Sequence, residues 1–595
     1  MGKREKQKKM SGADILHLAL TFFQCVADYG CCIYSALLLF VMPLYYTDGF
    51  SHIGSDKALF FRNLNRNMGK ILIPVGILLV LLKIILRRMV SEPDLKEKWA
   101  LERQKFSLTD WFVTAYGVCV TISYLLSDYQ EMAWYGAERG WFMGFCTQIA
   151  LVGIYFFMSR FWKPRKWMLW GILPFSAIVF FLGYLDRFGM PLLEMKSRSA
   201  SFISTIGNIN WYCGYVITVL FLGVLLFWGN GAKGWAQKIL LGLYVLLGFA
   251  TLITQGSESG TVALAVTMLA LFWFSAGDGE QMRNFWLEMI LFSAACLVSQ
   301  LLRSLRGEQM ALIEGQGQTL QLFTTGALPG IFLAISIGMW WLVHNSLQKR
   351  RYPQKLFTGI ARSIAVAGGA FLLIFVGLIA ANTKNPGCIG ALSGYSVFTF
   401  SPGWGSNRGA TWTGAWMCFG EQNFLHKLFG VGPDAMSGYL YQDGSRKLQL
   451  LMEETFGASL VLTNAHNEWL TVLVDTGILG LISYAGIFVS AIVSFLKKEK
   501  GGKQEPMVLA AGFCMLAYTV NNMFSFQQTM NVTTMFMILG MAEGIAKNRA
   551  DLKSPCSRFT GDRGILKTGQ LFKEFKNCSY SSYLLSVSTR YVSIF

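Results

Sequence analysis

The sequence predicts an all-α integral membrane protein, a polytopic bundle of about 14 transmembrane helices with one long extracytoplasmic loop. Three observations carry this. Of 595 residues, 53% are hydrophobic and only 14% are charged, with a mean hydropathy of +0.42. Many apolar runs reach the roughly 18–20 residues that a helix needs to cross the hydrocarbon core. Threaded in order, the runs leave the strongest Lys/Arg clusters on one side, as the positive-inside rule demands.

The basic start, residues 1–22, is expected in the cytoplasm. It precedes an apolar region too long for a cleavable signal peptide, so the first span is expected to be retained. Residues 23–381 hold spans one to eleven. The first lies within Phe23 to Tyr46 and the second within Lys70 to Leu86, joined by an outer loop from Thr47 to Asn67. Arg87, Arg88, Lys96, Lys98, Arg103 and Lys105 mark the next inner loop. A short outer loop with Tyr129, Glu131, Trp134 and Arg139 separates spans three and four. The outer segment Asp186 to Asn210 carries Arg187, Lys196 and Arg198. Spans six and seven begin at Trp211 and Ile239, and Gln255-Gly-Ser-Glu-Ser-Gly260 turns the chain outside. Span nine covers Phe285 to Leu301, span ten ends at His344 and span eleven near Ala381. Residues 382–465 form the long outer loop, 466–546 hold spans twelve to fourteen, and 547–595 are a basic tail without clear periodicity. Both termini are expected inside.

The excess of Lys+Arg (52) over Asp+Glu (34) is accounted for by the cytoplasmic loops, so nucleic acid is not an expected partner. The 12 cysteines show no metal-ligand spacing. Cys25, Cys119, Cys146 and Cys296 sit in apolar runs as small hydrophobes, while Cys388 and Cys418 share the long loop and are candidates to pair. No phosphate-cradling glycine loop suggests ATP, and no metal or cofactor is expected.

Chemistry collects on the outer side. Asn464-Ala-His-Asn-Glu-Trp-Leu470 lies at the seam between the long loop and an apolar run. A helix is predicted over Ala465 to Asp475, with Asn464 as N-cap and His466, Leu470, Leu473 and Gly477 on one face. The helix dipole there disfavours a proton on His466, leaving a neutral imidazole able to act as general base. Otherwise His466 is a polar residue ending a membrane helix. Upstream, Arg408 precedes Trp412 and Trp416 by four and eight residues, a cation at the end of an aromatic face. A guanidinium suits a diphosphate because its donor fork matches two oxygens; an interfacial anchor with a tryptophan belt is the alternative. Leu428-Phe-Gly430-Val-Gly432-Pro433-Asp434 reads as a turn that shapes the loop. Arg139 and Arg198 are candidates to join a cationic cleft. Asn208 and Asn210 are candidates for sugar or phosphate contacts, or form a plain turn.

In this order, the pieces resemble the O-antigen ligase family, which is related to the O-antigen polymerases. The resemblance covers about Gly207 to Leu496. It rests on Gly207-Asn-Ile-Asn210, on Ser257-Glu-Ser-Gly260, on Arg408 with Trp412, Trp416 and Leu428-Phe-Gly-Val-Gly-Pro433, and on His466-Asn-Glu-Trp-Leu470 with Asp475-Thr-Gly-Ile-Leu-Gly-Leu481. Two departures stand out: Ile209 replaces the family's usual proline, and Glu258 stands where the family often has arginine.

The resemblance implies a metal-independent, inverting membrane glycosyltransferase. Its donor is an undecaprenyl-diphosphate-linked glycan, and its acceptor is a hydroxyl on a glycan, lipid or protein outside the plasma membrane. His466 would be the base. Arg408, Arg139 and Arg198 would hold the diphosphate, and Asn208, Asn210, Asn467, Glu468 and Asp434 would contact acceptor or sugar. The rival class is a lipid-linked oligosaccharide flippase, which favours short loops, paired halves and ionisable groups deep in several spans.

Overall fold

The computed structural model describes residues 12–89, 106–137, 141–197, 199, 201–229, 234–310, 318–457, 461–497 and 505–552. By internal contacts the chain forms two units, residues 1–91 with 104–546, and 92–103 with 547–595. Of the second, only residues 547–552 are described, as helix. The rest of the tail lies outside the described residues, as do Arg139 and Arg198.

The described residues are helical almost throughout. In chain order the helices are α1 (Gly12–Ala36), α2 (Ile53–Met89), α3 (Leu108–Leu126), α4 (Gln130–Tyr135), α5 (Phe145–Arg160), α6 (Lys166–Arg187), α7 (Ile209–Trp228), α8 (Trp235–Thr254), α9 (Glu258–Ser275), α10 (Gly279–Met310), α11 (Gln318–Thr324), α12 (Leu328–Gln348), α13 (Gln354–Lys384), α14 (Trp404–Glu421), α15 (Phe424–Phe429), α16 (Arg446–Phe456), α17 (Glu468–Leu496), α18 (Pro506–Asn521) and α19 (Thr529–Leu552). One antiparallel pair, β1 (Phe202–Ile203) with β2 (Gly207–Asn208), precedes α7. Ten of the described helices are long and apolar enough to cross a membrane. Two shorter apolar helices, α5 and α18, stand where two further spans are expected, and α3 and α19 are helices at the remaining two positions.

α7 is the axis of the bundle. Its residues from Trp211 to Trp228 are buried on every side, against α8 and α18 among others. A helix apolar all round belongs inside a bundle, and this one is inside. At the other extreme, Phe371 to Ile374 of α13 and most of its other side chains are exposed, as suits a helix set in lipid tails.

One expectation is corrected. The outer loop from Thr47 to Asn67 is largely helix, because α2 starts at Ile53 and runs unbroken through Pro74. Polar residues such as Arg62, Asn63, Asn65 and Arg66 concealed the first turns of a helix that continues into the apolar run. The long segment carries helices of its own. α14 and α16, with the chain between them, hold a separate small core of Ala410, Ala415, Cys418, Met436, Leu448 and Met452. Cys418 is buried in that core and Cys388 is exposed, both as free thiols, so the two candidates are not joined.

The segment docks on a break in α17. Gly477 takes φ 70° and ψ −173°, a region essentially closed to residues with a Cβ. The break frees the carbonyls of Val474 and Asp475. Val431 N–H donates to Val474 at 3.1 Å, Gly432 N–H to Asp475 at 3.1 Å, and the Ser123 hydroxyl also to Asp475 at 2.6 Å. A Cβ on Gly430 would strike the Asp475 backbone, and one on Gly477 would strike that of Leu428. The Asp475 carboxylate completes the seam by accepting Asp434 N–H at 3.1 Å and Met436 N–H at 3.0 Å. Exposed carbonyls are costly beside lipid, and here a turn from elsewhere in the chain satisfies them.

Candidate functional site

His466 lies just before α17, not within it. The helix begins at Glu468 and is capped by Asn467, whose side-chain oxygen accepts Leu470 N–H at 3.1 Å. Asn464, the expected N-cap, instead accepts the backbone N–H of His466 at 3.0 Å in a tight turn, which leaves His466 in the left-handed region at φ 48°. Asn-Ala-His-Asn offers two Asx side chains within four residues, and the second wins because it directly precedes the uninterrupted helical run.

This turn is held from several directions. Ala465 N–H donates to Thr471 Oγ1 at 3.0 Å, and Thr411 Oγ1 of α14 donates to the Ala465 carbonyl at 2.8 Å. The imidazole meets the edge of Phe526, centroids 5.0 Å apart and planes at 79°. Among the described residues no protein group hydrogen-bonds either ring nitrogen. The ring is half-buried. Burial first, and the neighbouring Arg408 charge second, hold its pKa down to about 4. The ring is therefore neutral, as expected, but for these reasons rather than from a place inside a helix.

Arg408 opens the regular part of α14, after Gly405, Ser406 and Asn407 in left-handed conformations. Its Nε and Nη2 donate to the carbonyl of Phe524 at 3.2 and 3.1 Å, and Nη1 donates to that of Gly405 at 2.9 Å. Three of five N–H donors are thus committed, and two remain for a ligand. Burial lowers the Arg408 pKa, partly offset by the negative charge of Glu258. Glu258 therefore acts on the same cation. Trp412 lies between Trp404 and Phe524, at 5.5 and 6.1 Å, and Trp416 is exposed.

Asn522 to Gln528, linking α18 and α19, joins the two halves of the site. Phe524 pins Arg408 and Phe526 packs on His466. Sequence reasoning passed over this link. Its only signal was a short polar and aromatic interval, Phe-Ser-Phe-Gln-Gln, between two spans.

The other candidates fall elsewhere. Glu468 is fully buried, and its carboxylate accepts from Tyr484, Tyr518 and Asn522. Asp434 is buried too, and one of its oxygens accepts the backbone N–H groups of Ala137 at 2.8 Å and Met143 at 3.0 Å. Burial, with Asp475 nearby, pushes its pKa well above the carboxylate range. Asp434 thereby pins both ends of the interval that contains Arg139. Asn467 is committed as the helix cap. Asn208 caps α7 by accepting Asn210 N–H at 2.9 Å, the plain-turn alternative. Of the named residues, the described structure brings together Arg408 and His466.

Glu468, Asp434, Asp475, Asn464, Gln148 and Gln527 line a small internal cavity of about 20 Å³ behind Phe526. That is room for about one water, not for a sugar. Among the described residues no cluster of His, Cys, Asp and Glu is placed to hold a metal ion. Compared with known proteins, the chain matches no protein-family model and no curated protein.

Proposed function

We propose that the protein is a membrane glycosyltransferase that moves a glycan from an undecaprenyl-diphosphate carrier to an acceptor hydroxyl, with its site on the extracytoplasmic face and both termini in the cytoplasm. The observation that carries this reading is the meeting, on one short link, of a pinned arginine with two spare donors and a neutral histidine whose ring nitrogens have no hydrogen-bond partner among the described residues. The acceptor oxygen attacks the anomeric carbon as the bond to the diphosphate breaks, inverting the centre. The proton passes to His466, and the electron pair leaves on the diphosphate oxygen beside Arg408, where fixed positive charge lowers the barrier.

A pKa of about 4 makes His466 a weak base in the free protein. A diphosphate on Arg408 compensates the Arg408 charge, the smaller of the two causes that keep a proton off the ring. Donor binding therefore strengthens the base, and catalysis waits for the donor.

The test is His466→Ala, with turnover on an undecaprenyl-diphosphate glycan normalised to folded protein and donor binding measured separately. Turnover is expected to fall about a hundred- to ten-thousand-fold with donor binding retained. Retention of more than about a tenth of wild-type turnover means that His466 is not the base.

One observation favours the flippase reading. Glu288 is fully buried within α10, and neither carboxylate oxygen has a hydrogen-bond partner among the described residues. Ionisable groups inside spans mark transport paths in many membrane proteins. Glu288→Gln is expected to leave glycan transfer intact; loss of lipid-glycan flipping in liposomes, with no transfer in the wild type, favours the transporter.

A further inference from the structure

α2 packs along α1 but stands off from α4 and α5, leaving a groove of about 1130 Å³. One end is polar. Arg62 and Arg66 are exposed, one helical turn apart, and neither forms an ion pair among the described residues. Arg62 lies over the Tyr135 ring at 5.2 Å, with Trp134 beside it. The one acidic lining residue among the described residues, Asp56, accepts the backbone N–H of Thr47 at 3.1 Å and its hydroxyl at 2.6 Å. Further along, the walls turn apolar, with Leu72 and Ile73 on α2 facing Ile154 and Phe157 on α5. Gly153 leaves open space where a side chain would narrow the slot.

The dimensions select a ligand. Arg62 to Ile73 spans about 16 Å of helix, about half the thickness of a hydrocarbon core. Two guanidinium forks at the head suit phosphate oxygens, and an apolar channel one leaflet deep suits a chain. The head end adjoins the site through one stretch of chain. Phe142 and Phe145 face the groove, whereas Met143 and Gln148 line the small cavity behind Phe526.

We infer that this groove is a second lipid site, taking a polyprenyl lipid with its phosphate-bearing head at Arg62 and Arg66 and its chain along Leu72, Gly153 and Phe157. The choice of a polyprenyl chain over a bulk phospholipid rests on the proposed transfer reaction. Arg408 serves the donor, so the groove seats the acceptor, which is therefore lipid-borne.

The test uses the full chain in nanodiscs, with native mass spectrometry counting retained undecaprenyl phosphate. The wild type should hold two lipids, the Arg62→Gln/Arg66→Gln variant one, and the Arg408→Gln variant one. Gly153→Leu, which fills open space, should also lose the groove lipid, while thermal stability of each variant checks folding. Phosphatidylglycerol and inorganic phosphate should fail to displace it at tenfold excess. An unchanged count in Arg62→Gln/Arg66→Gln overturns the groove assignment. Displacement by phosphatidylglycerol overturns it in favour of a bulk-lipid site, and displacement by inorganic phosphate in favour of a bare anion patch. Two lipids retained in Arg408→Gln, with one in Arg62→Gln/Arg66→Gln, leaves the groove standing and overturns the donor site instead.

Discussion

Arg408 commits three N–H groups to the carbonyls of Phe524 and Gly405, whereas Arg62 and Arg66 form no ion pair among the described residues and remain exposed. The first cation is half-buried, fixed in direction and set beside His466. The other two are exposed, with Arg62 over the Tyr135 ring. A fixed, desolvated charge stabilises charge that develops during a reaction without reorganising; an exposed one gathers and orients a head group. On the proposed reading, one residue type would serve two tasks, separated by what the backbone around it leaves free.

The sharpest way to break this contrast is Arg408→Lys. Lysine keeps the charge but loses the fork and its carbonyl pins, so kcat/KM should fall about tenfold to a hundredfold with normal membrane insertion. Arg62→Lys should cost less than about threefold, because an exposed ammonium gathers a phosphate nearly as well. Equal losses at the two positions would erase the distinction.

Gly477→Ala probes the framework rather than the charge. The strained backbone alone should cost about 1–3 kcal/mol, before the contact with Leu428 is counted. A lowered thermal midpoint, with transfer per folded molecule also reduced because His466 moves with α17, is the expected result. An unchanged midpoint would mean that the docked turn tolerates a regular helix.

The pH profile sharpens the role of Arg408. The ring gains its proton as pH falls through its pKa, and the protonated ring accepts no proton. In the free protein, kcat/KM should therefore hold from pH 8 to 5 and fall near 4. With donor bound beside Arg408, the midpoint of kcat should move upward. Coincident midpoints would mean that donor and base are not electrically linked. The smallest effect is expected from Glu258→Gln, which removes a negative charge near Arg408 and should tighten donor binding about two- to fivefold; weaker binding would show that Glu258 helps to hold the donor.

Period and charge made the helices readable, because spans must be apolar and inner loops basic. α7 and α13 illustrate the limit: both read as spans, yet one is the axis and the other the rim, and no periodicity in either apolar run distinguishes them. The start of α2 was lost to its arginines, which is also why the groove went unseen. Arg408 and His466 were legible from residue type and position at a seam. Their junction was not, since Phe524 and Phe526 act through a carbonyl and a ring edge, roles that any phenylalanine can fill. Glu468 and Asp434 read as open acids, but what decides a carboxylate's role is whether N–H and O–H donors already surround it.

The break in α17 also sets an order of events in the life of the chain. Asp434 donates its backbone N–H to Asp475, 41 residues further on. A ribosome delivering the chain from its N-terminus hands over the turn well before its partner. Through that interval the Gly430–Asp434 turn is without its seat, and the small core around Met436 lacks Ala465 and Val474. The turn is therefore seated only when Asp475 arrives, and a chain truncated before Val474 keeps Arg408 and its tryptophans without the frame that aims them.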